Sequence, residues 1–189
     1  FEQITKIPRP SKKEEKMVEF LLKFAKDNNL EAKRDKVGNV VICKPATKGM
    51  ENRKSVVLQA HMDMVCEKNR DVNIDFDNDG ITPYIDGEWV KAKGTTLGAD
   101  DGIGVAACMA VLTDESVEHG PIECLFTVDE ETGLTGAFAI EAGFFNSEIL
   151  LNLDSEDEGE MFIGCAGGID TVATFDYEKE NVPEHHVAY

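Results

Sequence analysis

One histidine and a set of carboxylates stand out in this chain for the places they occupy. His61 and Asp63 follow the apolar run SVVLQA (55–60), Asp129, Glu130 and Glu131 follow ECLFTV (123–128), and Asp154 follows EILLNL (148–153). Asp100 and Asp101 stand immediately before the glycines of GIGVAACMAVL (102–112). Imidazole nitrogen and carboxylate oxygen together suit zinc, cobalt or manganese, and a carboxylate can also carry a proton. Taken singly, each has a plainer reading. An aspartate at a helix start caps it and meets the helix dipole. A lone histidine is more often a satisfied core or loop residue than a ligand, and a charge run is usually a solvated face.

The elements that must position these residues change that weighing. Near-continuous apolar runs of strand length, alternating with helical patterns at 102–112 and 136–142, predict an α/β sheet covered on both faces. In such sheets the ligand crevice lies outside the carboxyl ends of the strands, so residues distant in sequence converge there. Asp63, Asp100, Asp101, Glu130, Glu131 and Asp154 gathered in one crevice would raise one another's pKa, and no basic cluster in the chain is placed to neutralise them. A pair of divalent cations ~3.5–4 Å apart would. Adjacent glutamates point in different directions, so one can bind metal while its neighbour acts as a general base.

Toward the N-terminus, Ser11 and Glu14 form an S-x-x-E capping box, and Met17, Val18, Leu21, Leu22, Phe24 and Ala25 recur at helical spacing, predicting a helix to about Asn28. LEAKRD and NVVICKP around KVGN read as a hairpin. Beyond Gly159 the stretch EMFIGCAGGIDTVATFDYE is strand-like and punctuated by glycine, and a different layer or domain is expected from about Gly167. The chain opens within an amphipathic pattern without an initiator Met and ends at PEHHVAY without a closing element, so it reads as a fragment.

With 19 basic and 37 acidic residues the net charge is -18, which argues against nucleic acid and anionic membranes as partners and in favour of cations. No apolar run is long enough to span a bilayer and no leader opens the chain, so a cytoplasmic location is expected. Five widely spaced cysteines, Cys43, Cys66, Cys108, Cys124 and Cys165, predict reduced, buried thiols. The stretch Asp75–Asp86 matches calcium-loop spacing, which supplies a rival reading as a non-catalytic calcium-binding module. Its flanks do not read as EF-hand helices, and a solvated acidic hairpin loop is the better expectation. The acidic run 154–160 is expected to be surface apart from Asp154.

HMDMV, GTTLGADDGIGVA, FTVDEETGLTGA and NLDSEDEGEMFIGCAGG, in this order, resemble the aminoacyl-histidine dipeptidases. These are a branch of the co-catalytic zinc metallopeptidases that also include aminoacylase, carboxypeptidase G and peptidase T. The intervals are 39 residues from His61 to Asp100, 31 to Glu131 and 23 to Asp154. The resemblance implies a three-layer α/β/α catalytic domain over 1–166 and, over 167–189, the start of an inserted α+β lid or dimerisation domain. It implies two zinc ions, with cobalt or manganese as substitutes: His61 and Asp154 on one, Glu131 on the other, and Asp100 bridging. Asp63 would orient the His61 ring, Glu130 would be the general base, and Asp101 would follow Asp100 through a cis peptide bond. The implied reaction is hydrolysis of a dipeptide, Xaa-His or β-alanyl-histidine, by a homodimeric full-length protein. An N-acyl amino acid amidohydrolase or a tripeptide aminopeptidase is the alternative on the same scaffold. The family's second histidine ligand lies near the far end of its chains and is missing here, so the fragment is expected to bind metal weakly and to be inactive alone.

Overall fold

The apolar runs become strands in the computed structural model, which describes residues 1–155, 157, 159–169, 171–178 and 181–187. The chain divides into two compact units, Phe1–Glu156 and Asp157–Tyr189. In the first, elements follow in the order α1 (Glu2–Thr5), α2 (Glu15–Asp27), β1 (Glu31–Arg34), β2 (Val40–Lys44), β3 (Val56–His61), β4 (Pro83–Asp86), β5 (Trp89–Ala92), α3 (Ala99–Thr113), β6 (Ile122–Thr127), α4 (Thr135–Phe138) and β7 (Ile149–Asn152). Five strands form one mixed sheet in the order β1-β2-β6-β3-β7, and β4 with β5 forms a separate hairpin.

Register is what brings the chemistry together. β3 runs parallel to both β6 and β7, with His61 opposite Thr127 and Gln59 opposite Asn152. The carboxyl ends of all three strands therefore lie along one edge, and the residues that follow them emerge side by side. The main core lies on the sheet face covered by α2 and α3: Met17 and Leu21 of α2 and Val105, Cys108 and Leu112 of α3 pack with Val40, Ile42, Ala60, Cys124 and Phe126. Burying side chains of this size stabilises by roughly 1.5–3 kcal/mol each. On the opposite face Val41, Val57 and Leu125 are buried under Ile140, Phe144 and Phe145. Ile149, Leu150 and Leu151 of β7 are exposed.

Several local expectations are corrected. Ser11 and Glu14 form no capping box: α2 has no side-chain cap, because both side chains are spent on the strand ends described below. The helix expected over 136–142 shrinks to the single turn of α4, since two glycines and a positive φ at Leu134 and Gly143 bracket it. Among the described residues of 160–178 no strand forms, because an alternating pattern without a partner has no ladder to join. All five cysteines are free, but only Cys108 and Cys124 are buried; Cys43 and Cys66 are half-buried and Cys165 is exposed. Of the acidic run 154–160, Asp154, Ser155, Asp157, Gly159 and Glu160 are exposed, Asp154 while still facing His61, and Glu156 and Glu158 lie outside the described residues.

Candidate metal centre

β3 ends at His61, whose ring is buried, and the chain then turns through Met62 and Asp63, both buried. His61 Nδ1 lies 3.1 Å from the Asp63 carbonyl oxygen and 3.3 Å from Asp63 Oδ1. That leaves Nε2 facing the crevice. Its neighbours there are Asp100 Oδ1 at 2.9 Å, Asp154 Oδ2 at 3.8 Å and Glu130 Oε2 at 4.0 Å.

Asp100 reaches this position because the first turn of α3 is not regular helix. Gly98 has φ +72°, the Asp100–Asp101 peptide is cis, and both aspartates have non-helical ψ. Asp100 is turned out to the crevice, whereas Asp101 is turned in. The Asp101 carboxylate accepts from the amides of His61 (3.1 Å) and Gly104 (3.0 Å). A Cβ at Gly104 would fall 2.2 Å from Asp101 Oδ1, so that inward carboxylate requires glycine there. Burial, only partly offset by the His61 amide and ring, raises the Asp101 pKa to about 6.

The acidic triplet divides. Asp129, at φ +51°, is buried and points away from the crevice, accepting from Thr132 Oγ1 and Thr135 Oγ1 at 2.5 Å each. Glu130 and Glu131 point into the crevice on different sides. Glu130 shares one group with His61 and Asp154, and Glu131 shares another with His61 and Asp100, the ligand atoms of each group lying within 4.8 Å of one another. Two donors each about 2.0–2.2 Å from one zinc ion lie ~3–4.4 Å apart; His61 Nε2 meets that range with Asp154 (3.8 Å) and Glu130 (4.0 Å), while its 2.9 Å to Asp100 is a hydrogen-bond distance. The structure thus gathers His61, Asp100, Glu130, Glu131 and Asp154, with Asp63 behind the histidine. The third such group, Glu14, Asp63 and Asp129, is fully buried and faces away from solvent.

Electrostatics follow from crowding. Burial raises the carboxyl pKa of Glu130 and of Glu131, and the neighbouring carboxylates raise both further. Asp63 goes the other way: burial opposes ionisation, but the His61 ring, the Ser11 hydroxyl and the Glu130 amide outweigh it and bring the pKa down to about 2. Burial disfavours the imidazolium of His61, yet Asp63, Asp100 and Asp101 overcome this and raise its pKa to about 9.

Sequence reasoning missed the layer behind these donors. Asp63 accepts from Ser11 Oγ (2.7 Å) and from the amides of Glu130 (3.0 Å) and Glu131 (3.2 Å), and Glu14 Oε1 accepts from the amide of Asp129 (2.9 Å). Two buried carboxylates therefore hold three successive backbone amides of the acidic triplet. No basic cluster was expected near the site, and the structure places one buried basic residue there. Arg9, 1% exposed, lies within electrostatic reach of Asp63, Asp100 and Asp101, and although burial lowers its pKa to about 10 it stays charged at neutral pH. A single arginine between two prolines carries no periodic signal that would have marked it.

A mixed α/β sheet here delivers imidazole and carboxylate donors from the ends of three parallel strands into one crevice, an arrangement able to hold metal cations. The chain belongs to peptidase family M20/M25/M40, whose family model matches residues 57–185. It is 55% identical over 183 residues, 97% of its own length, to the cytosol non-specific dipeptidase of Escherichia coli strain K12. It is also similar to the crystal structure of aminoacylhistidine dipeptidase from Vibrio alginolyticus, at 58% identity and TM-score 0.81 over 83% of the chain. Aminopeptidase PepT from Bacillus cereus follows at 28% identity and TM-score 0.69 over 82% of the chain. The chain spans 38% of the Escherichia coli protein and 32% of the Vibrio chain.

Proposed function

We propose that this chain supplies the larger part of the metal centre of a cytoplasmic dipeptidase that takes two divalent cations, zinc in the first place. The observation that carries the reading is the gathering of five donors, His61, Asp100, Glu130, Glu131 and Asp154, at one sheet edge, with Nε2 of His61 able to serve one ion and carboxylates left to serve a second. In this assignment His61 and Asp154 would hold one ion, Glu131 the other, and Asp100 would serve both. Bound there, the cations would supply Lewis-acid charge that polarises a scissile carbonyl and acidifies water.

The remaining work falls to side chains of this chain. Asp63, through its carboxylate and its carbonyl, holds Nδ1 of His61 so that Nε2 faces the crevice, the outer-layer bond that ligating histidines need. Glu130 is the general base: it removes a proton from the attacking water and returns one to the departing amine nitrogen. In the metal-free protein burial and the neighbouring carboxylates raise its pKa above the ordinary glutamate value. A cavity of about 340 Å³ adjoins Glu130 and Asp154, lined also by Gln59, Leu125, Thr127 and Asn152. That volume suits a small substrate.

Dipeptides, Xaa-His among them, are the preferred substrates in this reading, supported by the names of the two proteins above 50% identity. The cytosolic name of the Escherichia coli relative supports the location. Residues 167–189 are assigned to the start of a lid domain through which the full-length protein dimerises. A panel of β-alanyl-histidine, other dipeptides, tripeptides and N-acyl amino acids, offered to the zinc-loaded full-length gene product, tests the assignment. Preference for dipeptides is expected; preference for N-acyl amino acids or tripeptides would overturn it.

A further inference from the structure

Behind the candidate ligands, the Arg9 guanidinium occupies a position that neither the donor set nor the helix pattern requires. Its Nη1 donates to the carbonyls of Met62 (2.9 Å) and Asp63 (2.7 Å), and its Nη2 donates to the carbonyl of Gly98. The first two carbonyls belong to the turn that carries His61. The third belongs to the residue preceding the turn that carries Asp100. One rigid planar group thus spans the two segments whose side chains meet at His61 Nε2 and Asp100 Oδ1, 2.9 Å apart.

The Asp63 carbonyl joins the two roles, because it faces both Arg9 Nη1 and His61 Nδ1. Moving the guanidinium moves the oxygen against which the imidazole is set. The backbone is shaped around the arginine as well. A Cβ at Gly98 would fall 2.5 Å from Nη2 and one at Gly102 2.8 Å from it, while Arg9 in turn accepts the Met64 amide on its own carbonyl at 3.1 Å.

Stability alone accounts poorly for this arrangement. A buried charge is expensive, and Arg9 Nε is a buried donor without a hydrogen-bond partner. An apolar side chain of similar volume would avoid both costs but would leave the carbonyls of Met62, Asp63 and Gly98 without their donor, so what the guanidinium adds is the fork that ties these two segments together. We infer that Arg9 is a positioning residue of the metal centre, fixing the separation and orientation of His61 and Asp100 by bridging the carbonyls of the turns that bear them. The inference rests on the assignment of His61 and Asp100 as metal ligands. Lysine keeps the charge but, as a point donor, cannot hold a fork of carbonyls on two segments.

The test uses cobalt(II) as probe with the full-length gene product, reading affinity by calorimetry and coordination by visible absorption, with thermal unfolding measured alongside. Arg9→Lys is expected to weaken cobalt binding at least 10-fold and to shift the absorption bands of the remaining complex. Gly102→Ala, which retains the arginine and suits a helix but crowds Nη2, is expected to shift the bands in the same way with a smaller loss of affinity. A merely structural role would lower the unfolding temperature and leave affinity and spectrum as in wild type, and that result in either folded variant overturns the inference. If Arg9→Lys does not fold, Gly102→Ala decides alone. Failure of the wild-type protein to bind cobalt would overturn the metal-centre assignment itself, an outcome distinct from normal binding by the variants.

Discussion

Two acidic regions compete for a cation in this molecule, and they solve the problem of crowded negative charge in opposite ways. In the loop at 75–79 the carboxylates are exposed and satisfied locally. Asp75 accepts from the Asp77 amide (3.1 Å) and Asn78 Nδ2 (2.7 Å), Asp79 accepts from the Asp75 amide (3.0 Å), and Asp77 pairs with Lys13 (2.6 Å). Asp86 lies in β4 and pairs with Lys91. The carboxylates of this loop are taken up by its own amides, by Asn78 and by Lys13, and among the described residues none of the groups able to hold a metal includes them. At the strand ends the carboxylates come from three strands and a helix start and converge on one imidazole, with the buried Arg9 as their basic neighbour. Sequence spacing makes the first look like a site; topology gathers the donors of the second.

The largest test of that contrast removes one aspartate from each region of the full-length gene product. Asp100→Ala is expected to abolish measurable zinc binding at the group it shares with His61 and Glu131 and to weaken the other. Asp77→Ala should keep wild-type stoichiometry in the same calorimetric titration. Calcium binding that survives Asp100→Ala and disappears in Asp77→Ala would instead establish the loop as the site. Next in size is Glu130→Gln, which removes the base and leaves an oxygen near the metals: kcat should fall by roughly 10²–10⁴-fold with metal content unchanged. An equal loss of bound zinc would make Glu130 a ligand rather than a base, an outcome its place in the group with His61 and Asp154 makes worth measuring.

Asp63→Asn acts one layer back. It keeps the shape but weakens the hold on His61 Nδ1 and on the amides of Glu130 and Glu131, and a loss of about 10–100-fold in zinc affinity is expected. The same pair sets a pH signature of the metal-free protein. His61 is raised from 6.5 to about 9, so its contribution to stability is full below 6.5 and is lost as pH rises through about 9. Asp63 is lowered from 3.8 to about 2, so its contribution is full above 3.8 and is lost as pH falls through about 2. The pair therefore stabilises the metal-free fold most between 3.8 and 6.5. Asp101, raised to about 6, and Glu130 and Glu131, also raised, cost stability as pH climbs through the same window, so the pair is read from the difference in thermal unfolding between wild type and Asp63→Asn, which should be largest between 3.8 and 6.5. An unchanged profile would mean that the ion pair does not form without metal.

Much of the fold was legible because three apolar runs of strand length needed a shared sheet, and the rule that ligands gather at carboxyl ends then placed His61, Glu130, Glu131 and Asp154 together. The layer behind them was not legible, for a physical reason. Ser11 and Glu14 satisfy the local rule for a helix start, and only the approach of Asp63 and the Asp129 amide shows that a tertiary partner has taken the cap. Asp129 reads in sequence as one of three equal carboxylates, and its positive φ, which turns it inward, depends on Thr132, Thr135 and Glu14 around it. Arg9 was invisible because its partners are carbonyl oxygens, which leave no trace in residue identity.

The smallest effect probes the other side of the comparison. Lys13 and Asp77 form an exposed ion pair, and Lys16 donates to the Asp77 carbonyl at 2.7 Å, so the loop is fastened to the start of α2. Exposed pairs of this kind contribute less than about 1 kcal/mol and are screened by salt. Lys13→Ala should therefore lower stability in denaturant by no more than that, with the difference from wild type shrinking at high salt, and should leave zinc affinity unchanged. Should Lys13→Ala instead weaken zinc binding, the loop would be coupled to the strand ends through α2, where Glu14 holds the Asp129 amide beside Glu130. The two acidic regions would then be parts of one device. Independence is the expected result, because the loop's hydrogen bonds close on its own backbone and on lysines that carry nothing toward His61.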